Sequence, residues 1–207
     1  MSKDVLGNAL EEISGPFKDF FTKLGGPEGS LWMRAFKRFL RKENPWAGED
    51  LPIDFPAWMT VELGIHPDPD SYHKAIMATT VRMSNRAKDI LQKVSVGPHR
   101  VVQLVRVTVA ELGFSKGARY EAVCERAKIC GLRLCPAEVG PALRMQYLDQ
   151  PFGEWLRIAM EPITASDGDP VVFAVYFSSG GLWLETYWCH PDLVSDPYRA
   201  FVFVFGE

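Results

Sequence analysis

The sequence predicts an α+β protein: N-terminal helices, then helices packed on one face of a C-terminal antiparallel β-meander of about four strands. Three observations predict it. Apolar residues recur at helical spacing through much of the first two-thirds of the chain. From Glu154 they alternate or run together in β-branched and aromatic segments of strand length. Those segments are separated by turns rather than helices, which excludes a βαβ series.

The elements follow in order. Residues 3–24 read as two short helices split near Gly15-Pro16, the second presenting Phe17, Phe20, Phe21 and Leu24 on one face. A helix from the N-cap Ser30 to Lys42 carries an apolar stripe of Trp32, Ala35, Phe36, Phe39 and Leu40. Its other face holds Arg34, Lys37, Arg38, Arg41 and Lys42. Residues 43–56, with three prolines and several acids, read as a linker pinned by Trp46 and Phe55. The boundary therefore falls between a helical region over 1–50 and an α+β domain over 51–207, with helices to about 150 and sheet from 154.

Within that domain, Trp58 to Leu63 alternates as an edge strand, and Ser71 to Met77 and Ser84 to Val94 are helical, Ser84 being an N-cap. Val101 to Val107 is β-branched and reads as a strand, with a short helix from Thr108 to Gly113. Tyr120 to Cys130 is an amphipathic helix that Gly131 ends. Pro136 suits a first helical turn, Glu138 favours its positive end, and Pro141 restarts or kinks the helix. The meander strands are 154–161, 171–177, 182–187 and 200–205, joined by Asp167-Gly168-Asp169, by Ser178-Ser179-Gly180-Gly181 and by a longer loop over 189–198. In the first of them Leu156, Ile158 and Met160 take the core side, which leaves Arg157 on the outer side.

Composition narrows the function classes. With 47% hydrophobic and 24% charged residues the chain can bury a core, and a net charge of −3 argues against non-specific binding to phosphate backbones. No apolar run is long enough to span a membrane, and the acid-bearing N-terminus reads as no secretion signal. A cytoplasmic setting is expected, with Cys124, Cys130, Cys135 and Cys189 packed as free thiols. Their spacing, with His190, is wrong for structural zinc, so no metal and no cofactor is expected. Cys189-His190 and Ser178-Ser179 lack an oriented base and make no nucleophile.

Two groups of polar residues are candidate sites. Arg157, Glu161, Tyr176 and Glu185 fall on or near one sheet face, and Glu138, Arg144, Gln146 and Asp149 are expected to overhang it from the preceding helix and turn. Arg144 and Glu161 are the favoured pair, either as a salt bridge tying helix to sheet or as the centre of a site. The second group is the basic face of Arg34, Lys37, Arg38 and Arg41. It is either a solvated surface or an anchor for an anion or an acidic partner.

Several blocks resemble a group of bacterial hypothetical proteins: Ala35 to Trp46 (AFKRFLRKENPW), Ser84 to Leu91, Thr108 to Phe114 (TVAELGF), Cys135 to Ile163, Gly181 to Leu184 and Phe201 to Val204. The resemblance implies one shared architecture from Trp32 onward and brings no activity, ligand or site residue with it. The leading reading is a non-catalytic binding module for a protein or small ligand, in a cleft between 138–150 and the sheet. The alternatives are a carboxylate-dependent hydrolase and a winged-helix nucleic-acid binder built from 120–147. The second is disfavoured because Val101 to Glu207 holds nine Lys/Arg against thirteen Asp/Glu.

Overall fold

The computed structural model describes residues 15–27, 29–42 and 55–205. The chain divides into two compact units, Met1–Leu51 and Pro52–Glu207. The helix expected before Gly15, and the linker with Trp46 over 43–54, lie outside the described residues.

In the first unit a helix over 15–24 (α1) is followed by α2 (Gly29–Leu40). The Phe20 and Phe36 rings meet at 4.8 Å, and the Lys23 ammonium lies 4.5 Å over the Trp32 ring. Pro16 stands in the first turn of α1, where its missing N–H costs nothing.

The second unit is mixed α+β, built on a large, mostly antiparallel sheet of nine strands among the described residues. Its path runs β1 (Met59–Leu63), β3 (Arg100–Thr108), β11 (Ala200–Phe205), β6 (Trp155–Ile158), β8 (Pro170–Ser178), β9 (Gly181–Trp188) and β2 (Arg82–Met83). Off that path β5 (Leu132–Arg133) pairs with β11 and β7 (Ile163–Thr164) with β8; β4 (Ala118–Arg119) and β10 (Val194–Ser195) make a separate pair. The helices are α3 (Pro69–Met77), α4 (Asn85–Leu91), α5 (Tyr120–Ile129) and α6 (Val139–Gln146).

Local chemistry explains the starts and stops. Asp68 caps α3 by accepting from the Ser71 N–H, and Ser84 caps α4 by accepting from that of Ala87. Gly131, at φ +83°, ends α5 in the left-handed conformation. The first turn of α6 is tightened by bonds from Val139 N–H to Pro136 O and from Gly140 N–H to Ala137 O. Pro141 is therefore the third helical residue, where no N–H is required, so it neither restarts nor kinks the helix. The short helix expected from Thr108 is only a turn, closed when Glu111 accepts from the Thr108 N–H and hydroxyl.

The meander is corrected. Strand β11 does not lie beside β9; it runs parallel to β6, with Phe201 opposite Arg157, and antiparallel to β3. Its sequence supplies the reason, because AFVFV is an unbroken apolar run that a sheet interior accepts and an edge does not. The chain between β9 and β11 is carried past the start of α5 by the β10–β4 pair.

Helices cover both faces, not one. Phe173 and Ala174 are adjacent in β8 and point to opposite sides. The Phe173 ring meets α6 at Gly140, whereas Ala174 shares its side with Arg157 and Phe201, and Phe201 packs against Tyr120 of α5. Strand β6 is consequently central. Leu156, Ile158 and Met160 are buried as expected, but Arg157 on the other side is only 3% exposed.

A polar tie fastens α4 to the turn over 165–169. The Asp89 carboxylate accepts from the Ser166 hydroxyl at 2.6 Å and its N–H at 2.7 Å, which holds Asp89 below the ordinary carboxylate value. Its contribution to stability is present above that ordinary value and is lost as pH falls through the lower folded value. Thermal melts across acid pH are expected to show Asp89→Ala less stable than the parent at neutral pH, with the gap closing on acidification.

Candidate functional site

The residues expected to overhang the sheet are part of the frame. Glu138 is fully buried and accepts from the Gly64 N–H at 2.5 Å, the Tyr72 hydroxyl at 3.0 Å and the Gly97 N–H at 3.3 Å. Gly64 sits at φ +70°, and a Cβ there would meet the His99 nitrogen at 2.5 Å, so only glycine offers its N–H in that position. Arg144, also fully buried, donates to Gln150 Oε1 at 2.5 Å and to the Tyr147 carbonyl. Burial pulls its guanidinium down to about 10, while Tyr147 and Glu154 pull the other way. Gln146 makes two bonds to the Glu62 backbone, and Asp149 is exposed.

The pairing of Arg144 with Glu161 is not formed. Arg144 lies with α6 on the Phe173 side, whereas Glu161 is exposed in a hollow shared with Arg119, Cys124 and Lys128 near α5. The same burial removes the recognition helix of a winged-helix unit, because Val139 to Arg144 of α6 have no free face.

Arg157, Tyr176 and Glu185 do share one sheet face by register: Arg157 lies opposite Ala174, Ala174 opposite Glu185, and Tyr176 between Trp155 and Trp183. Glu185 is held there by the Ser84 hydroxyl and the Thr186 N–H. In the first unit Lys37 is exposed, and none of Arg34, Arg38 and Arg41 is without a partner.

A cleft of about 690 Å³ opens where β3 ends and β6 and β11 begin. Its lining includes Trp58, Arg106, Glu111, Glu154, Trp155, Arg157, Tyr198 and Arg199. One wall is a fixed network. Arg106 pairs with Glu154 at 2.5 Å, the Tyr147 hydroxyl donates to the other Glu154 oxygen at 2.8 Å, and the Arg106 guanidinium stands 5.6 Å from the Trp58 ring.

The other wall holds Arg157. Its guanidinium lies 4.6 Å from the Tyr187 ring, 5.6 Å from Trp155 and 5.9 Å from Phe201. No carboxylate comes within ion-pair distance of it among the described residues, and its buried Nε has no hydrogen-bond partner. Burial lowers its affinity for the proton, Tyr187 opposes that, and the neighbouring Arg199 adds to it. This buried cation, held by ring faces and drawn on by Asp196 only from beyond ion-pair distance, stands at the side of an open cleft.

Arg106, Arg199, Tyr198 and Trp58 were not singled out by the sequence. Arg199 comes beside Trp155 only because β11 pairs in parallel with β6, and two segments 44 residues apart carry no local trace of that pairing. Elsewhere the four cysteines are free and buried, and burial pushes the Cys124 thiol up to about 11 and that of Cys189 to about 12. No group of three or more His, Cys, Asp or Glu among the described residues is arranged to hold a metal, and no described helix is long and apolar enough to cross a membrane. Comparison with protein-family models, with curated proteins and with solved structures returns no match for this chain.

Proposed function

We propose that the protein is a non-catalytic binding module for a small anionic ligand, taken up in the cleft between the ends of β3, β6 and β11. The observation that carries this reading is Arg157, a buried cation without a carboxylate partner in the wall of a cleft of ligand-binding size. An anion there would gain a charge-assisted bond to a guanidinium that is itself buried. Arg199, 3.3 Å from Asp196 and partly exposed, is the second cation at the same rim.

Thermal melts with inorganic phosphate and with citrate test it. Each is expected to raise Tm in step with the logarithm of its concentration above Kd, a stabilisation of about 1.4 kcal/mol at ten times Kd, and Arg199→Gln is expected to remove most of the shift. Melting temperatures that ignore both anions would sink the reading.

A carboxylate-dependent hydrolase is the second reading, because Glu111 and Glu154 line the same cleft. Both carboxylates are already engaged, Glu111 by Thr108 and Glu154 by Arg106 and Tyr147, which suits framing better than proton transfer. Turnover of chromogenic glycosides that Glu154→Gln abolishes would favour this second reading instead.

A further inference from the structure

A row of aromatic rings crosses the sheet beside the cleft. Trp155, Tyr176 and Trp183 are register partners on β6, β8 and β9. The Trp155 and Tyr176 rings are 4.8 Å apart at 22°, and those of Tyr176 and Trp183 are 5.9 Å apart at 4°. Nearly parallel rings at these separations are too close to lie side by side on the sheet, so they stand on edge and stack face against face.

The two ends of this column differ. At the Trp183 end the Arg82 guanidinium stands 5.6 Å from the ring, and Arg82 and Trp183 are themselves register partners. That end is closed. At the other end Trp155 has the Tyr176 ring on one side and the Arg157 guanidinium over its ring at 5.6 Å, and Arg199 directly precedes the first β11 residue paired with β6. Trp155 is 40% exposed and lines the cleft together with Tyr198, Arg199 and Arg157. The column therefore ends at the cleft in a ring that is partly exposed and flanked by two arginines.

We infer that the ligand of this cleft is a small planar aromatic or heteroaromatic compound bearing an anionic group, its ring packed against the exposed part of Trp155 and its anion held by Arg157 and Arg199. The inference rests on the proposal that the cleft binds an anion. Stacking adds to such a ligand what a ringless anion cannot gain, and it tolerates many ring types because each has a π-face. A nucleic-acid strand fits less well, since Glu111 and Glu154 share the lining and the chain carries a net charge of −3.

Calorimetric titration of the full chain separates ring from charge. The probes are adenosine 5′-monophosphate, indole-3-carboxylate, adenosine and ribose 5-phosphate. The two ring-bearing anions are expected to bind about tenfold or more tightly than either adenosine or ribose 5-phosphate. Trp155→Ala is expected to erase the tenfold advantage, and Trp155→Phe to keep most of it. Should the alanine variant fold poorly, quenching of tryptophan fluorescence in the Phe variant and the parent decides between them.

Ribose 5-phosphate binding as tightly as the nucleotide, with no effect of Trp155→Ala, would overturn the ring requirement and leave the anion site standing. Binding of none of the four probes would overturn both. A single-stranded oligonucleotide binding tenfold more tightly than the mononucleotide would replace the small ligand with a polymer.

Discussion

Glu138→Ala is expected to destabilise the protein by about 3–5 kcal/mol, the usual cost of removing one partner from a buried charged network. The carboxylate joins three separate pieces of chain: the Gly64 N–H after β1, the Tyr72 hydroxyl in α3, and the start of β3, where it meets the Gly97 N–H and, at 3.9 Å, the Arg100 guanidinium. Removing it leaves two part-buried backbone donors and one buried hydroxyl without their acceptor. Glu138→Gln keeps the shape and one acceptor but turns an amide N–H towards donors, so its cost is expected to fall between alanine and none. Urea denaturation should show a lower midpoint at an unchanged slope. A loss below about 1 kcal/mol for alanine would mean that packing alone holds these loops.

The second large effect runs against helix propensity. Gly140→Ala in α6 should gain about 1 kcal/mol in an exposed helix, yet here it is expected to cost about 2 kcal/mol net. A Cβ at Gly140 would stand 2.5 Å from Cβ, Cγ and Cδ2 of Phe173. Phe173 is fully buried at the centre of the sheet, so relief requires α6 to lift from β8 or the ring to leave its rotamer. Phe173→Leu removes part of the obstruction. A double-mutant cycle should therefore show Gly140→Ala to be much less costly in the leucine background. Stabilisation by Gly140→Ala alone would show that the helix stands farther from the sheet.

How the chain reads depends on the range of the interactions involved. The Ser84 cap, the Gly131 stop, the helix around Tyr120 to Ile129 and the edge strand before Leu63 are set by residues within a few positions of one another, and each was legible. So was the shared face of Arg157, Tyr176 and Glu185, because side chains alternate with a period of two. Alternation says which residues lie together, however, and not whether a second layer covers them. Arg157 was expected at an outer face and lies inside because the Tyr187, Trp155 and Phe201 rings close around it, with Tyr120 of α5 packed on Phe201.

The sequence by itself determined an α+β chain, its turns, most of its helices and strands, and the apolar set that fills the core. Only the tertiary structure decided the strand order, which helix covers which face, and the company that each charged side chain keeps. Glu138 and Arg144 read as site residues because a polar side chain in a local stretch carries no mark of the distant donors or acceptors it meets. Those partners come from Gly64, Tyr72 and Gly97 for the one, and from Gln150 and the Tyr147 carbonyl for the other. The cleft depends in the same way on the parallel contact of β11 with β6, a pairing favoured by burial of the AFVFV run and by no short-range signal.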